Sequence, residues 1–358
     1  MRGFRALPEA ALLPHNCGIP QTRKIRSTVP RAQHSGDARL RQLIRVLGDN
    51  ATVVVSGTKM AKELGVSHSA TWRLVQQLRG YGAHIEGHPT TGYVLKTMPD
   101  LPLPEVLEPL LKGTIFAGKV QHRFRTASTN LDAMEAAAEG APEGSVFLAE
   151  EQTAGRGRGG HRWESKKSQN IYCSVVLRPA VAPAETLALS LAAGLAAQSA
   201  VEKLTGLRPD LRWPNDLLLN GKKCGGILIE MTAEPTRVRH VVAGIGLNVN
   251  QQEFSGELRE TATSLRMAGG SSWPRVALVA ALLQSLDREY RALWPAQNVI
   301  RRFTEASSYA RGRKVHVEEQ GGYEGVTTGL DERGFLLVRT ADGMRTVISG
   351  GVRAIESD

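Results

Sequence analysis

The chain has few cysteines and no long hydrophobic run. Among its 358 residues, the three cysteines Cys17, Cys173 and Cys224 form neither a disulfide framework nor a metal-ligand spacing. No apolar stretch approaches the roughly 20 residues that span a bilayer, and Glu9 interrupts the N-terminal stretch where a secretory signal would need an apolar segment. These absences argue against a disulfide-stapled secreted protein and against a membrane protein. They predict a cytoplasmic location and no membrane partner.

Acidic residues are too few to balance the basic ones, and the net charge of +10 at first suggests a nucleic-acid partner. Residues 1–36 contain six basic residues and one acidic residue, so half of the excess lies there. Bulk charge is therefore weak support for DNA binding, which has to rest on a motif. Because this segment is rich in Pro, Arg and Gln and offers little apolar surface to bury, we predict a disordered basic extension over residues 1–36.

The rest of the chain changes character three times. Residues 37–97 have the pattern of helix, tight turn, helix and two short strands, which predicts a winged helix-turn-helix. Residues 98–112 are proline-rich and predict a linker. Strand-like and helical runs alternate over 113–307 and indicate a mixed α/β domain, whereas short strands with Gly-Gly and Asp-Gly turns over 308–358 indicate a small β-barrel. The predicted fold class is α+β, multidomain.

The strongest chemical signal is the segment 155–163, Gly-Arg-Gly-Arg-Gly-Gly-His-Arg-Trp, which we call the arginine–glycine loop. Glycines let backbone N–H groups approach anionic oxygens, and guanidinium groups neutralise their charge, so this composition is typical of a phosphate cradle. It also satisfies the dinucleotide fingerprint, but that motif opens a helix, whereas this loop leads into the strand-like run 171–177. A Walker A motif is excluded because no Gly-Lys-Ser/Thr follows. A flexible basic loop without a ligand is the alternative.

Three further clusters accompany the loop. Arg212–Asp216 and Lys222–Glu230 predict a hairpin in which two glycines after the paired lysines suggest close approach of the backbone to something, although a lone Lys-Lys is more often a solvated edge. Ala127–Asn130 precedes a helical run and can be explained as an N-cap, with Asp132 as a first-turn acid. Gly244–Asn250 is an apolar strand that ends in asparagines and is uninformative alone.

In order and spacing, the four clusters resemble those of the bifunctional bacterial biotin protein ligases, which also repress the biotin operon. The resemblance covers about residues 40–358 and implies a central domain of the biotin/lipoate ligase type and an SH3-like C-terminal barrel. It implies biotin-binding residues Ser128, Thr129, Asn130, Gln152, Arg156, Gly157, Arg158 and Lys223, of which Arg156, Arg158 and Lys223 are also catalytic. It implies adenylate-binding residues Gly155, Arg156, Gly157, Arg158, Gly160, Trp163, Arg212, Asn215, Asp216, Lys223 and Asn248.

These residue types suit the implied chemistry. The ureido ring of biotin needs neutral donors and acceptors in a mostly apolar pocket. Attack of its carboxylate on the α-phosphorus of ATP spreads charge over phosphoryl oxygens, so arginines, a lysine and Mg²⁺ carried by ATP are the expected stabilisers. No protein motif for a metal is present. The acceptor lysine then attacks the acyl-adenylate, so no enzyme nucleophile is needed and Cys173 and Cys224 are interpreted as small apolar residues.

Two departures from the family pattern stand out. Arg212 replaces the commoner lysine before Trp213, which keeps the charge but changes the donor geometry. Gly159 and His161 replace residues that are often basic, and this change predicts a looser or slower closure of the arginine–glycine loop. Neither departure removes a residue that the resemblance places in the pocket.

The second helix of the helix-turn-helix begins with the candidate DNA-binding residues Ser67, His68, Ser69, Thr71, Trp72 and Arg73. Such a helix would face the major groove, with Leu74, Val75 and Leu78 packed inward. The resemblance implies operator binding as a homodimer. A winged helix without a DNA site is the alternative, because few residues of the motif are basic and phosphate contacts supply affinity.

The implied function is therefore ATP-dependent attachment of biotin to a lysine of the biotin carboxyl carrier protein of acetyl-CoA carboxylase, together with biotin-responsive repression. Two other functions remain open. A lipoate or octanoate transferase of the same superfamily would not be expected to have the arginine–glycine loop or the Trp-Pro-Asn-Asp cluster in this form. A ligand-sensing transcription factor without catalysis would have no use for a phosphate cradle together with Lys223.

Overall fold

A computed structural model of the chain describes residues 31–50, 53–88, 91–319 and 321–355. The predicted basic extension lies for the most part outside the described residues. The described chain folds into an N-terminal helical unit with a two-stranded wing, a central unit around a seven-stranded sheet and a C-terminal five-stranded sheet. This arrangement confirms the predicted α+β multidomain class.

The N-terminal unit is a helix-turn-helix followed by a wing. Helix α1 begins six residues before the predicted start at residue 37. The turn between α2 and α3 contains Gly65 at φ 61°, a left-handed conformation that favours glycine. Inward-facing residues of α3, among them Val75 and Leu78, are buried against α1 and α2 as predicted. The elements are α1 (Arg31–Gly48), α2 (Gly57–Leu64), α3 (His68–Arg79), β1 (His84–His88) and β2 (Gly92–Thr97).

The segment predicted as a linker is a packed part of the fold. Leu101 and Leu103 are buried in the core of the N-terminal unit, and Leu107 and Leu111 in the core of the central unit. Between them lies a short helix, α4 (Pro104–Leu107), which the prediction of an irregular linker missed. Proline is tolerated at the first position of a helix because the N–H that it lacks has no helical partner there.

The central unit is a mixed sheet with the strand order β3-β4-β5-β9-β8-β7-β6, in which only the β3–β4 pair is parallel. Helices α6 and α9 pack against each other in its core. The elements are β3 (Val120–Arg123), α5 (Thr129–Ala138), β4 (Val146–Ala149), β5 (Ile171–Leu177), α6 (Leu187–Thr205), β6 (Asp210–Arg212), β7 (Asp216–Leu219), β8 (Lys222–Ala233), β9 (Val238–Leu247), α7 (Leu258–Thr261), α8 (Leu265–Gly269), α9 (Arg275–Arg291) and α10 (Gln297–Ala306).

Contrary to the expectation from the sequence, one helical stretch of the described chain, Pro183–Thr205, is long and apolar enough by length and composition to cross a membrane. Its most apolar window is 78% buried inside the protein. A helix that is apolar on all sides and buried in this way is what the centre of a large core requires.

The C-terminal unit is an antiparallel sheet with the strand order β13-β12-β11-β10-β14. Its strand β14 was not predicted from the sequence. The unit shares a core with the central sheet, and the indole N–H of the buried Trp213 donates to the carbonyl of Gly334 at 2.9 Å. The strands are β10 (Arg311–Val317), β11 (Tyr323–Leu330), β12 (Leu336–Thr340), β13 (Gly343–Val347) and β14 (Val352–Ala354).

Candidate active site

Most of the predicted site residues line one cavity between α5, the arginine–glycine loop and the sheet. All predicted biotin residues line it, together with two residues that were predicted to bind only the adenylate. They are Ser128, Thr129, Asn130, Gln152, Arg156, Gly157, Arg158, Trp163, Asn215 and Lys223. These residues lie up to 95 positions apart in the chain, and the fold brings them to one place.

One end of the cavity is neutral and polar. Gln152 Oε1 accepts from the backbone N–H of Thr129 at 2.8 Å, and Gln152 Nε2 donates to Ser165 at 3.0 Å. The Ser174 hydroxyl lies 2.8 Å from Thr129 Oγ1 and 2.5 Å from Asn130 Oδ1. Thr129, Asn130 and Ser174 are buried and Gln152 is partly buried, so this end of the cavity offers neutral donors and acceptors that are largely shielded from water.

Ser128 stands at the N-cap position of α5, as the alternative interpretation of this cluster expected. Its side chain makes no capping hydrogen bond, although only 2% of the residue is exposed. A buried hydroxyl normally has a partner. The position of Ser128 on the cavity wall therefore favours a ligand contact over a capping role.

The arginine–glycine loop folds over the cavity as a tight hairpin. Its backbone is closed by bonds from Gly157 N to His161 O at 2.8 Å and from Trp163 N to Gly155 O at 2.9 Å. Gly159 at its tip has φ 62°, which a residue with a Cβ resists. Arg158 reaches the sheet, where it donates to Asn215 Oδ1 at 3.3 Å.

The other end of the cavity is cationic. Lys223 Nζ lies 2.5 Å from Asp216 Oδ1, and Arg212 Nη2 lies 2.6 Å from Asp216 Oδ2. Burial alone would raise the pKa of Asp216, but these two cations hold it below its usual value. Burial lowers the pKa of Arg158, and the neighbouring Asp216 offsets part of that effect. One carboxylate thus holds several positive groups close together.

A second cavity adjoins this cationic end and includes residues of the C-terminal unit. Glu318 and Arg353 line it opposite Arg158, Arg212 and Lys223. Arg353 Nε lies 2.7 Å from Glu318 Oε1. The two cavities share Arg158, Trp163, Asn215 and Lys223, so a ligand with a neutral end and an anionic end could extend through both.

Glycines of β8 and β9 make room for this arrangement, as the Gly-Gly pair after the lysines suggested. A Cβ at Gly246 would lie 2.7 Å from the Trp163 ring, and one at Gly226 would lie 3.1 Å from Lys223 Cε. A Cβ at Gly244 would overlap the side-chain oxygen of Asn130. The sheet is therefore bare of side chains where the loop and α5 approach it.

Three predicted adenylate residues do not line either cavity. For Asn248 this differs from the prediction: the residue is 5% exposed, it lines neither cavity, and its amide donates to the carbonyl of Thr263 at 3.1 Å. Gly155 packs closely against the Trp163 carbonyl, and Gly160 has φ 80° in the loop turn. These two glycines shape the loop rather than face the cavity.

Sequence reasoning missed part of the wall. Tyr172, Cys173, Ile227, Leu228 and Ile245 complete the lining. Burial raises the pKa of both Cys173 and Cys224 to about 12, so both are inert thiols at neutral pH, consistent with their interpretation as small apolar residues. The missed residues have side chains that also fill the core of a sheet, and no sequence signal separates a cavity wall from the core at such positions.

The start of α3 forms the candidate DNA-binding face. One of its predicted residues, Thr71, does not belong to this face. Thr71 is 1% exposed and its hydroxyl donates to the Ser67 carbonyl at 3.2 Å, so it cannot reach a base edge. Ser67, Ser69 and Arg73 are exposed, and Trp72 is 55% exposed. His68, Ser69 and Trp72 also line a groove between α3 and the wing.

Within the ranges that the structure describes, no group of three or more His, Cys, Asp or Glu side chains could hold a metal ion. Asp216 is the carboxylate nearest to the cationic cluster. Magnesium that arrives with a nucleotide needs only one or two protein carboxylates because the phosphates supply other ligands. The residues present therefore suit a nucleotide-borne Mg²⁺.

Three family models match the chain in order. Residues 39–94 match an HTH domain, residues 123–248 match the Biotin/lipoate A/B protein ligase family, and residues 312–352 match the Biotin protein ligase C terminal domain. Each match falls on one of the three units of the fold.

Individual proteins agree with these matches. The chain is 34% identical over 321 residues to the Bifunctional ligase/repressor BirA of Bacillus subtilis, with 87% of this chain and 97% of that protein covered. It is 37% identical over 234 residues to the Biotin--[acetyl-CoA-carboxylase] ligase of Mycobacterium tuberculosis, with 63% and 85% covered. The biotin protein ligase of Aquifex aeolicus in complex with biotin and ATP superposes with a TM-score of 0.58 at 27% identity, covering 67% of this chain and all of that one. The chain therefore belongs to the biotin protein ligase family.

Proposed function

We propose that the protein joins biotin to ATP to form biotinyl-5'-AMP and transfers the biotinyl group to a lysine of a biotin carboxyl carrier protein. The observation that carries this proposal is the continuity of two unlike environments. A neutral polar pocket at α5 opens directly into a cationic cavity at Lys223. Biotin with its neutral head and anionic tail, followed by a nucleotide phosphate, has the same polarity along its length.

The neutral end is suited to the ureido ring. Ser128, Thr129, Asn130 and Gln152 offer hydroxyl and amide groups that donate or accept without charge. The apolar walls formed by Ile227, Leu228 and Ile245 can enclose the thiophane ring and the start of the valeryl chain. Binding at this end leaves the carboxylate pointing toward the arginines and Lys223.

The cationic end is suited to adenylate formation. The biotin carboxylate attacks the α-phosphorus, the bond to the β-phosphate bridging oxygen breaks, and pyrophosphate leaves with its electron pair. Arg156, Arg158 and Lys223 stabilise the negative charge that spreads over the phosphoryl oxygens. Mg²⁺ bound to the phosphates, with Asp216 as its protein carboxylate, would supply further charge neutralisation.

Transfer needs no nucleophile from this chain. The amine of the acceptor lysine attacks the acyl carbon of the mixed anhydride, an amide forms and AMP leaves. The neutral thiols of Cys173 and Cys224 are consistent with a mechanism in which no thioester forms.

Biotin-dependent release of pyrophosphate tests the activation step and its substrate. With ATP and Mg²⁺ we expect pyrophosphate release with biotin and little with lipoate or octanoate, because neither of these acids has the ureido group that the polar pocket would hold. Release with lipoate but not with biotin would favour the other branch of the superfamily.

We propose a second function for the N-terminal unit: biotin-responsive repression of transcription through operator DNA. The name of the Bacillus relative calls that protein a repressor. The exposed Ser69, Trp72 and Arg73 on α3 support this second function. We further propose that the repressor binds as a homodimer in the cytoplasm, where ATP and the carrier protein are present.

A further inference from the structure

A hydroxyl interrupts the face of β5 that packs against α5. Ser174 shares this face with Val176, which belongs to a small apolar cluster with Ala133 and Ala137 of α5. Ser174 is 0% exposed and is not among the residues that line the two cavities. The activation and transfer steps do not use it. Because a hydroxyl is costly to bury unless it is hydrogen-bonded, the partners of Ser174 indicate what it does.

Both partners of Ser174 belong to the neutral end of the cavity. Its Oγ lies 2.5 Å from Asn130 Oδ1 and 2.8 Å from Thr129 Oγ1. Asn130 can come this close to the strand because Gly244, which pairs with Ser174 on the neighbouring strand β9, has no side chain. Ser174 therefore supports two residues of the cavity wall from behind.

The direction of these hydrogen bonds follows from the groups present. A serine hydroxyl carries one proton, so it can donate to only one of the two oxygens. Glu230 determines which one, because a carboxylate only accepts: Asn130 presents Nδ2 to Glu230 Oε2 at 2.8 Å, and its Oδ1 faces Ser174. The amide oxygen also only accepts. The Ser174 proton therefore goes to Asn130.

This assignment leaves Thr129 as an acceptor toward the cavity. With the Ser174 proton on Asn130, the contact between the two hydroxyls needs the proton of Thr129. A second neighbour of Thr129 Oγ1 is Gln152 Oε1 at 3.2 Å, which only accepts. In either direction the Thr129 proton is used inside the protein, and the oxygen offers lone pairs to the cavity. A ureido ring has N–H groups that such an acceptor binds.

We propose that Ser174 is a positioning residue that sets the hydrogen-bond direction of the cavity wall, so that Thr129 accepts from the ureido group and Asn130 keeps its amide orientation. The inference rests on the proposed function, since that function identifies the ligand as biotin. Without the Ser174 hydroxyl, Asn130 Oδ1 loses its donor. The Thr129 proton is then free to turn toward the cavity, where it opposes an N–H group of the ligand.

The test uses four variants of the full-length protein. Ser174→Ala removes the hydroxyl and adds no volume, Thr129→Val removes the proposed acceptor and nearly keeps its shape, and the third variant combines the two. Ser145→Ala is the matched control, because it removes another buried hydroxyl, whose hydrogen bond to the carbonyl of Pro142 at 2.8 Å lies outside both cavities. Thermal unfolding shows whether each variant retains the fold.

The readouts are the Kd of biotin by isothermal titration and kcat for pyrophosphate release at saturating biotin and ATP. We expect Ser174→Ala to raise the Kd about 5- to 100-fold, the range for a buried acceptor that loses its donor. Its kcat should stay within about twofold of the wild type, because the cationic end is unchanged. Since Ser174 acts through Thr129, the Kd increase in the double variant should be at least about threefold smaller than the product of the two single increases. Ser145→Ala should bind biotin like the wild type.

An unchanged Kd for biotin in Ser174→Ala would overturn the inference. So would a lower kcat at unchanged Kd, which would assign Ser174 a general structural role, or single-variant effects that multiply fully in the double variant. Failure of the proposed function gives a different result: the wild type would bind biotin without releasing pyrophosphate, and the Kd values would still test Ser174. A wild-type protein that does not bind biotin would refute both.

Discussion

At the scale of single residues, the cations of the site are paired with carboxylates of the same site. Asp216 holds Lys223 and Arg212, and Glu230 holds Arg156. Cations that faced one another without counter-ions would repel and would be costly to bury. These carboxylates balance part of the positive charge that a bound anion would meet.

Replacement of Lys223 by alanine should abolish biotin-dependent pyrophosphate release while biotin still binds measurably. Lys223 lies at the junction of the two cavities, where charge shifts from the attacking carboxylate to the phosphoryl oxygens in the transition state, whereas the neutral pocket at α5 is untouched. Isothermal titration with biotin and a pyrophosphate assay measure the two effects separately. Lys222→Ala is the control, because it removes the neighbouring charge; a Lys223→Ala enzyme with full adenylation would refute the assigned role.

Replacement of Asp216 by asparagine should reduce the loss of folding stability as the pH is lowered. Lys223 and Arg212 lower the pKa of Asp216 in the folded protein. The ionised carboxylate therefore contributes its full share to the free energy of unfolding above the ordinary pKa of 3.8, and this share is lost as the pH falls through the lower pKa of the folded state. Urea unfolding between about pH 5 and about pH 2.5 should show a smaller loss of stability for Asp216→Asn than for the wild type. Parallel stability profiles of the two proteins would contradict a lowered pKa of Asp216.

At the scale of elements, the sequence predicted those with a periodic or turn signal. The helix-turn-helix, the wing, the hairpin β7–β8 and the strand after the arginine–glycine loop are all present. Helix α4 and strand β14 were missed because both are very short, and proline obscured the first. The position of Thr71 on α3 was wrong because it shares the inward face with Leu74, Val75 and Leu78.

The same limit applies to the site. Clusters with unusual composition, such as the loop and Arg212–Asp216, were found because apolar packing does not explain them. Asn248 was misplaced because an asparagine at a strand end can face either side, and here its amide bonds to the carbonyl of Thr263, 15 positions further along the chain. Glu230 was seen as part of a motif, but its link to Arg156 spans 74 positions, which no local pattern reveals.

Arg73→Ala on α3 should weaken binding of operator DNA and reduce the dependence of affinity on salt. An exposed arginine at the start of a recognition helix contacts phosphate or base edges, and each lost phosphate contact lowers the salt slope by about one. Titration of labelled operator DNA at several salt concentrations, with biotin and ATP, measures both quantities. Arg208→Ala, on the surface of the central unit, is the charge-matched control, and equal effects of the two variants would count against a DNA-binding face on α3.

At the scale of the whole molecule, a buried ionic cluster ties the units together. Glu150 lies 3.0 Å from His122 Nε2 and 2.9 Å from Arg275 Nη2, and the backbone N–H of Arg275 donates to Asp100 at 2.6 Å. Arg41 of α1 donates to the carbonyl of His122 at 3.0 Å. Glu150 therefore lies at the centre of a cluster that links the central sheet through His122 to Arg41 of the N-terminal unit and through Arg275 to Asp100 of the segment after it.

Glu150→Gln should lower the free energy of unfolding by about 3 kcal/mol, because it leaves buried Arg275 without its charged partner. Burial would raise the pKa of Glu150, but Arg275 and His122 bring it below its usual 4.5. The destabilisation should therefore be complete above pH 4.5 and shrink below it. Urea unfolding measures this; Glu305→Gln, which breaks an exposed pair with Arg301, should change stability by less than about 1 kcal/mol. Equal destabilisation by Glu150→Gln and Glu305→Gln would contradict the role of Glu150 in a buried ionic cluster.

Transfer of labelled biotin to a biotin carboxyl carrier domain tests the central claim most directly. With ATP and Mg²⁺, we expect one labelled biotin to be attached to each carrier domain. We expect no labelled carrier when ATP is omitted or when the acceptor lysine is replaced by arginine. Absence of label from the intact carrier under these conditions, with the protein folded, would contradict the account.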